Sequence, residues 1–215
     1  MTAPSAGARA LIPNLLTVSR LFLAAAFIAI LSAAPVFVLN DGVPATNTAA
    51  LVAALILFLV AAGTDALDGY LARRWRVVSV FGRIMDPFAD KLLVLGAFIL
   101  LASPAFQMEG GQASGVHAGM AIVILARELL VTSIRAAVEG AGGEFGASLS
   151  GKAKMILQSL VVPLVLLLIA ISDPAELREG WPRVTIDVAV WVTIVVTVIS
   201  GWPYVVRGAA VLGRS

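Results

Sequence analysis

Six apolar runs, separated by short polar or glycine-rich segments, constrain this chain more than any other feature. The first follows Arg20 and ends at Leu39, and the others cover about residues 49–63, 84–101, 118–138, 153–171 and 184–206, with Gly201 and Pro203 at the end of the last. Only 13% of the residues are charged, whereas soluble domains are nearer a quarter charged. Because a hydrocarbon core of about 30 Å takes roughly 20 apolar residues, each run is adequate for one span. The sequence therefore predicts an all-α integral membrane protein: one domain over residues 1–215, six transmembrane helices and a short N-terminal juxtamembrane segment.

The segments between the runs are predicted to be turns and loops. They comprise residues 40–48, 102–117, 140–151 and 172–183, whereas residues 1–13 are a short polar start. A cleaved signal peptide is an alternative for the N-terminus, since basic residues precede an apolar stretch that ends near Pro35. The further spans and the long polar lead favour a retained first helix.

Basic residues set the predicted orientation. With the N-terminus inside, only Arg178 and Arg183 of the 15 Lys and Arg residues fall outside. Cytoplasmic segments of membrane proteins carry such an excess of positive charge. We therefore expect a multi-pass cell-membrane protein whose termini and acidic motif are cytoplasmic.

Four aspartates stand out in this apolar chain as two closely spaced pairs. Asp65 and Asp68 are three residues apart, Asp86 and Asp90 are four apart, and on helices each pair shares one face. A charge at the bilayer centre costs about 2.5–3.5 kcal/mol, so compensating cations are required. Divalent ions with oxygen ligands satisfy this need, and two such ions suit in-line phosphoryl displacement. The alternative is a buried ion-pair network with Arg20, Arg127 or Arg135.

Small and basic residues flank the acidic pairs. Gly69 follows the first pair directly, and Gly82 precedes Asp86 by one helical turn. Missing side chains there allow a ligand to approach the backbone. Arg73 lies near the same face, where a guanidinium can neutralise a diphosphate.

The pattern D-x-x-D-G-x-x-A-R, eight residues, then G-x-x-x-D-x-x-x-D resembles the signature of the CDP-alcohol phosphatidyltransferases. Its defined positions, within residues 65–90, are Asp65, Asp68, Gly69, Ala72, Arg73, Gly82, Asp86 and Asp90. The resemblance implies a homodimer of six-helix subunits with two Mg²⁺ or Mn²⁺ ions on the four aspartates. It implies that Asp90 is also the catalytic base. The residues implied to bind CDP-diacylglycerol are Gly69, Arg73, Ser79, Gly82, Asn14 and Thr17.

Three further segments resemble the phosphatidylglycerophosphate synthases within that family. They are Ile12–Arg20, the fourth run with its Arg127-Glu128 pair, and Gly151–Gln158; Met155 is a departure, since threonine is more usual there. The resemblance implies phosphatidyl transfer from CDP-diacylglycerol to glycerol 3-phosphate. Because that acceptor is a dianion, four cations are candidates to bind it: Arg127, Arg135, Lys152 and Lys154.

Other interpretations stay open at this point. The two lysines can snorkel to the interface, and the arginines can pair with Glu128. The acceptor can instead be inositol phosphate or a phosphatidyl acceptor. A divalent-cation transporter is the alternative from another class, although the acids lie near one interface rather than at the midplane. The net charge of +2 gives a nucleic-acid partner little support.

Overall fold

The computed structural model describes residues 6–40, 43–75, 80–140 and 149–212. Within these ranges the chain is almost entirely helical. The elements, in chain order, are α1 (Ala6–Ala33), β1 (Phe37–Asn40), β2 (Val43–Thr46), α2 (Thr48–Trp75), α3 (Val80–Leu101), a 3-10 helix (Pro104–Phe106), β3 (Gln107–Met108), β4 (Gly111–Gln112), α4 (Ala118–Gly140), α5 (Leu149–Ile171), α6 (Glu176–Glu179) and α7 (Trp181–Leu212). One long helix corresponds to each apolar run.

The predicted end of the first span at Leu39 is wrong. Helix α1 ends at Ala33, and residues 37–40 form β1, which pairs antiparallel with β2. Pro35 explains the early end, because proline clashes with helical geometry and biases its predecessor towards extended backbone. Asn47, within the predicted turn, closes the hairpin: its backbone N–H donates to the Val36 carbonyl at 2.7 Å, and its side chain accepts from the N–H of Ala50.

The last helix also departs from its prediction. It was expected to end at Gly201 and Pro203, but α7 runs on to Leu212 with Pro203 in its interior. Helix α2 continues beyond its apolar run to Trp75, while α3 begins at Val80 and α5 at Leu149, each about one turn early. Helix α2 passes through the first acidic pair without a break.

Four of the helices contain segments long and apolar enough to cross a membrane. These segments are Asn14–Ala33, Thr48–Asp65, Gly151–Ile171 and Trp181–Ala210. Helices α3 and α4 are of similar length, but Asp90 and Lys91 interrupt α3, and Arg127, Glu128 and Arg135 interrupt α4. The chain is an integral membrane protein, and three of the residues that interrupt the two remaining apolar runs are predicted site residues: Asp90, Arg127 and Arg135.

The helices pack around an apolar core. Helix α1 packs on α2 and α3, α2 packs on α5, and α7 packs on both α4 and α5. The rings of Phe27 and Phe58, both fully buried, lie 5.7 Å apart between α1 and α2. Large apolar side chains such as Ile99, Ile122 and Ile199 are exposed on the outward faces, as a helix bundle in lipid requires.

The connecting segments 102–117 and 172–180 meet at one end of the bundle. Arg178 pairs with Glu109 across them at 2.8 Å, and the Arg183 guanidinium donates to the carbonyl of Gln112 at 2.6 Å. Thr48, at the start of α2, donates to the Ala170 carbonyl near the end of α5. The acidic motif begins more than four helical turns along α2 from this end, so the predicted site lies towards the opposite end.

Candidate functional site

The first motif aspartate forms an ion pair inside the bundle. Arg20 on α1, fully buried, approaches the Asp65 carboxylate with its Nη1 2.6 Å from Oδ1. Asp65 and Asp90 line the same cavity of about 120 Å³, which is otherwise mostly apolar. One carboxylate from each acidic pair therefore faces a common space, as the sequence predicted. The ion pair with Arg20 is one of those that the alternative interpretation, a buried ion-pair network, includes.

A larger cavity of about 380 Å³ lies beside the first. Asp90 and Met155 line both cavities. The charged residues around the larger one are Asp90, Lys91, Arg127, Glu128, Arg135, Lys152 and Lys154. Five cations thus face two carboxylates, so the cavity is suited to an anionic ligand.

Glu128 holds two of these cations. Its Oε1 accepts from Nη1 of Arg127 at 2.8 Å and from Nζ of Lys154 at 2.6 Å. Nη2 of Arg127 also donates to the hydroxyl of Ser200 at 3.0 Å. Lys154 is 6% exposed, so snorkelling to the interface is wrong for this residue. The pairing of Arg127 with Glu128 is confirmed.

Arg135 is held differently. Its guanidinium carbon lies 5.9 Å from the ring centroid of Tyr204 on α7, and that of Arg127 lies 5.8 Å from the same ring. Within the described residues, the buried Nε of Arg135 has no hydrogen-bond partner. Arg135 and the exposed Lys152 also form no ion pair with a described carboxylate, so their charge is available to a ligand.

The structure brings together all four residues predicted to bind the acceptor, since they line the larger cavity with Asp90. On the donor side, Thr17 is buried one turn from Arg20 on α1, Asn14 is half-buried, and Gly69 lies on α2 one turn beyond Asp65. Among the other predicted donor and metal residues, Ser79 lies outside the described residues. Only the helical backbone is described for the rest: Asp68, Arg73, Gly82 and Asp86. Their roles stay predictions.

Lys91 and Tyr204 are among the lining residues of the larger cavity that sequence reasoning missed. Lys91 follows Asp90 directly and donates from its Nζ to the Thr132 hydroxyl of α4. An intramembrane lysine next to a motif aspartate is a usable signal, because such charges face the bundle interior. Tyr204 stands in an apolar helix after a proline, and nothing in that pattern distinguishes it from a lipid-facing aromatic residue.

Two carboxylates at the smaller cavity are possible ligands for hard divalent cations, although the described side chains include no group of three or more potential metal ligands. Carboxylate oxygens are the ligands that Mg²⁺ and Mn²⁺ prefer, and Asp65 and Asp90 present them from facing helices. Within the described side chains these two are the motif carboxylates at the cavity. The other two, at Asp68 and Asp86, belong to the same two helices.

Comparison with known proteins identifies the family of this chain. Residues 10–200 match the family model described as CDP-alcohol phosphatidyltransferase. A Bacillus subtilis protein named CDP-diacylglycerol–glycerol-3-phosphate 3-phosphatidyltransferase is 36% identical over 90% of this chain and 92% of its own length. Proteins of the same name from Rickettsia bellii, 29% identical over 90% of this chain and 92% of their own, and from Mycoplasma genitalium, 35% identical over 74% and 65%, are also similar. The chain therefore belongs to the CDP-alcohol phosphatidyltransferase family.

Proposed function

We propose that this protein transfers the phosphatidyl group of CDP-diacylglycerol to sn-glycerol 3-phosphate, giving phosphatidylglycerol phosphate and CMP. The names of its relatives support this reaction. The observation that carries the proposal is the position of Asp90, which lines both the small cavity shared with Asp65 and the cationic cavity. A group between a donor site and an acceptor site is in place to move a proton between the reactants.

The charge of the larger cavity favours a phosphorylated acceptor. Glu128 offsets part of the charge of Arg127 and Lys154, while Lys91 is bonded to a neutral hydroxyl. Lys91, Arg135 and Lys152 pair with no described carboxylate and therefore supply much of the net positive charge. A hydrogen bond to a charged group is worth about 1.5–3 kcal/mol, so these cations discriminate strongly between glycerol 3-phosphate and uncharged glycerol.

The reaction follows from that arrangement. Asp90 accepts the proton of the glycerol 1-hydroxyl, and the oxygen attacks the phosphorus that carries diacylglycerol. The bond from that phosphorus to the CMP oxygen breaks, and CMP leaves. Two divalent ions, Mg²⁺ or Mn²⁺, would supply electrostatic stabilisation of the diphosphate, held by the four motif aspartates, Asp65, Asp68, Asp86 and Asp90.

The donor site is proposed to lie on the motif side of Asp90. Gly69, Gly82, Arg73 and Ser79 would hold the cytidine diphosphate, with Asn14 and Thr17 contributing from α1. The reaction then takes place near the cytoplasmic face of the cell membrane, in a homodimer of six-span subunits, each a single domain over residues 1–215. The strong inward bias of the basic residues supports that orientation.

An acceptor screen tests the proposal. Purified protein in detergent with lipid is given labelled CDP-diacylglycerol, Mg²⁺ or Mn²⁺, and one of three acceptors: glycerol 3-phosphate, glycerol or inositol phosphate. CMP release and a labelled phosphatidylglycerol phosphate are expected with glycerol 3-phosphate, with a rate at least about tenfold above that with glycerol. A matched sample with EDTA controls for metal dependence.

The other outcomes of the screen are informative. A preference for inositol phosphate, or for a phosphatidyl acceptor added as lipid, would replace the acceptor while leaving the family reaction in place. No CMP release with any acceptor, together with metal uptake into proteoliposomes, would support a transporter instead.

A further inference from the structure

A single aromatic ring contacts two guanidinium groups in the cationic cavity. The Tyr204 side chain is 4% exposed, and the guanidinium carbons of Arg127 and Arg135 lie 5.8 and 5.9 Å from its ring centroid. Both distances are within the range of cation–π attraction. The attraction is strengthened where the groups are removed from water.

The two arginines are not neighbours along α4. They are eight residues apart on α4, which corresponds to about 12 Å along the helix axis. Their charges repel each other, yet both guanidinium groups reach the same ring on α7. The ring therefore offsets part of the repulsion and brings the two charges to one part of the cavity wall.

The ring matters more to Arg135 than to Arg127. Arg127 is also held by Glu128 and by the hydroxyl of Ser200. Arg135 has no such ion pair among the described residues, where the buried Nε atoms of both arginines have no hydrogen-bond partner. The Tyr204 ring is the contact that fixes where its charge points.

We propose that Tyr204 is a positioning residue for acceptor binding: its ring holds Arg135, and secondarily Arg127, in the place where the acceptor phosphate binds. This inference rests on the proposed transfer to glycerol 3-phosphate. Tyr204 acts through the arginines and is not itself a catalytic residue.

Tyr204→Leu and Tyr204→Phe test the role of the ring. Steady-state kinetics is measured with each substrate varied in turn. Loss of the ring in Tyr204→Leu is expected to raise the KM for glycerol 3-phosphate about three- to thirtyfold. The KM for CDP-diacylglycerol should stay within about twofold of wild type. A variant that merely contains less folded enzyme would change neither KM, so a rise in one KM alone identifies the role of the ring. Tyr204→Phe keeps the ring and should keep most of the affinity.

Two controls isolate the effect. Trp202→Leu removes an aromatic ring from the same helix at a site that is 69% exposed, and it should leave both KM values unchanged. If Tyr204→Leu does not fold, Tyr204→Met fills much of the same space without a ring and replaces it. Thermal unfolding of each variant verifies that it is folded.

A double-mutant cycle with Arg135→Ala identifies the path of the effect. If the ring acts through Arg135, Tyr204→Leu should add little to the rise in KM already caused by Arg135→Ala. Additive effects, an unchanged KM in Tyr204→Leu, or a Tyr204→Phe variant as impaired as Tyr204→Leu would overturn the inference. Failure of the proposed function is distinguishable, because the wild type would then release no CMP with glycerol 3-phosphate.

Discussion

The Glu128 carboxylate forms ion pairs with two buried cations. It accepts from both Arg127 and Lys154 through the same oxygen, so two positive charges are fixed at the cavity wall by one negative charge. A charge left in the interior without a partner is costly, and the arrangement keeps net positive charge where a phosphate can use it. The carboxylate thus stabilises the folded protein without cancelling the charge of the cavity.

Removing that carboxylate should destabilise the protein. Glu128→Ala leaves Arg127 and Lys154 without their anion, and breaking a buried pair in this way costs about 3–5 kcal/mol. We expect a clear drop in the midpoint of thermal unfolding in detergent. Glu109→Ala is the matched control, since Glu109 is 86% exposed in its pair with Arg178 and exposed pairs contribute about 0–1 kcal/mol. Equal shifts in the two variants would contradict the account.

The sequence predicted the cations of the site and offered the pairing of Arg127 with Glu128, but it did not indicate their other partners. The four candidate acceptor residues were selected from charge within apolar helices, and they do meet at one cavity. The pair between Glu128 and Lys154 joins residues 26 apart, and the ring of Tyr204 comes from a third helix. Such contacts depend on how helices are arranged in three dimensions, which periodicity within one helix does not encode.

Close packing of α4 against α7 sets the cavity wall. A methyl group added at Gly208 would lie 2.5 Å from Cγ2 of Ile134, the residue before Arg135. Tyr204 lies one turn before Gly208 on the same helix. The missing side chain therefore allows the approach that brings the ring to the guanidinium groups, as small residues do where membrane helices meet.

Gly208→Ala should separate the two helices and weaken the site. Overpacking costs about 1–3 kcal/mol, and we expect lower thermal stability together with a higher KM for glycerol 3-phosphate. Adding Ile134→Ala should restore both, because it removes the clashing methyl group. Gly63→Ala, where an added methyl group meets nothing within 4 Å, should instead be neutral or stabilising. A Gly208→Ala variant that behaves like Gly63→Ala would show that the contact is unimportant.

Element boundaries were predictable where composition changes sharply. Helix α4 was predicted over 118–138 and observed over Ala118–Gly140. The hairpin of residues 37–46 was missed, because apolar residues such as Val38 fit a strand as well as a membrane helix when only hydropathy is considered. Pro35 correctly indicates that α1 ends before it. Pro203 does not mark the end of a helix, since α7 continues through it, as membrane helices often do.

Across the whole molecule, two cavities of different character meet at one residue. The smaller holds Asp65 of the acidic motif, the larger is lined by cations from α3, α4 and α5, and Asp90 lines both. Six helices, α1 to α5 and α7, contribute to this region, so the site forms only when the bundle is assembled. In the proposed reaction, Asp90 is the group that takes the proton of the acceptor hydroxyl.

The most direct test is turnover by Asp90→Asn. The amide keeps the shape of the carboxylate but cannot take the proton of the glycerol 1-hydroxyl, and loss of a general base typically costs about 10²–10⁴-fold. CMP release from CDP-diacylglycerol with glycerol 3-phosphate is measured beside equilibrium binding of CDP-diacylglycerol. We predict a rate lowered by at least about a hundredfold, with lipid-nucleotide binding largely retained. A variant that keeps more than about a tenth of the wild-type rate would contradict the role of Asp90.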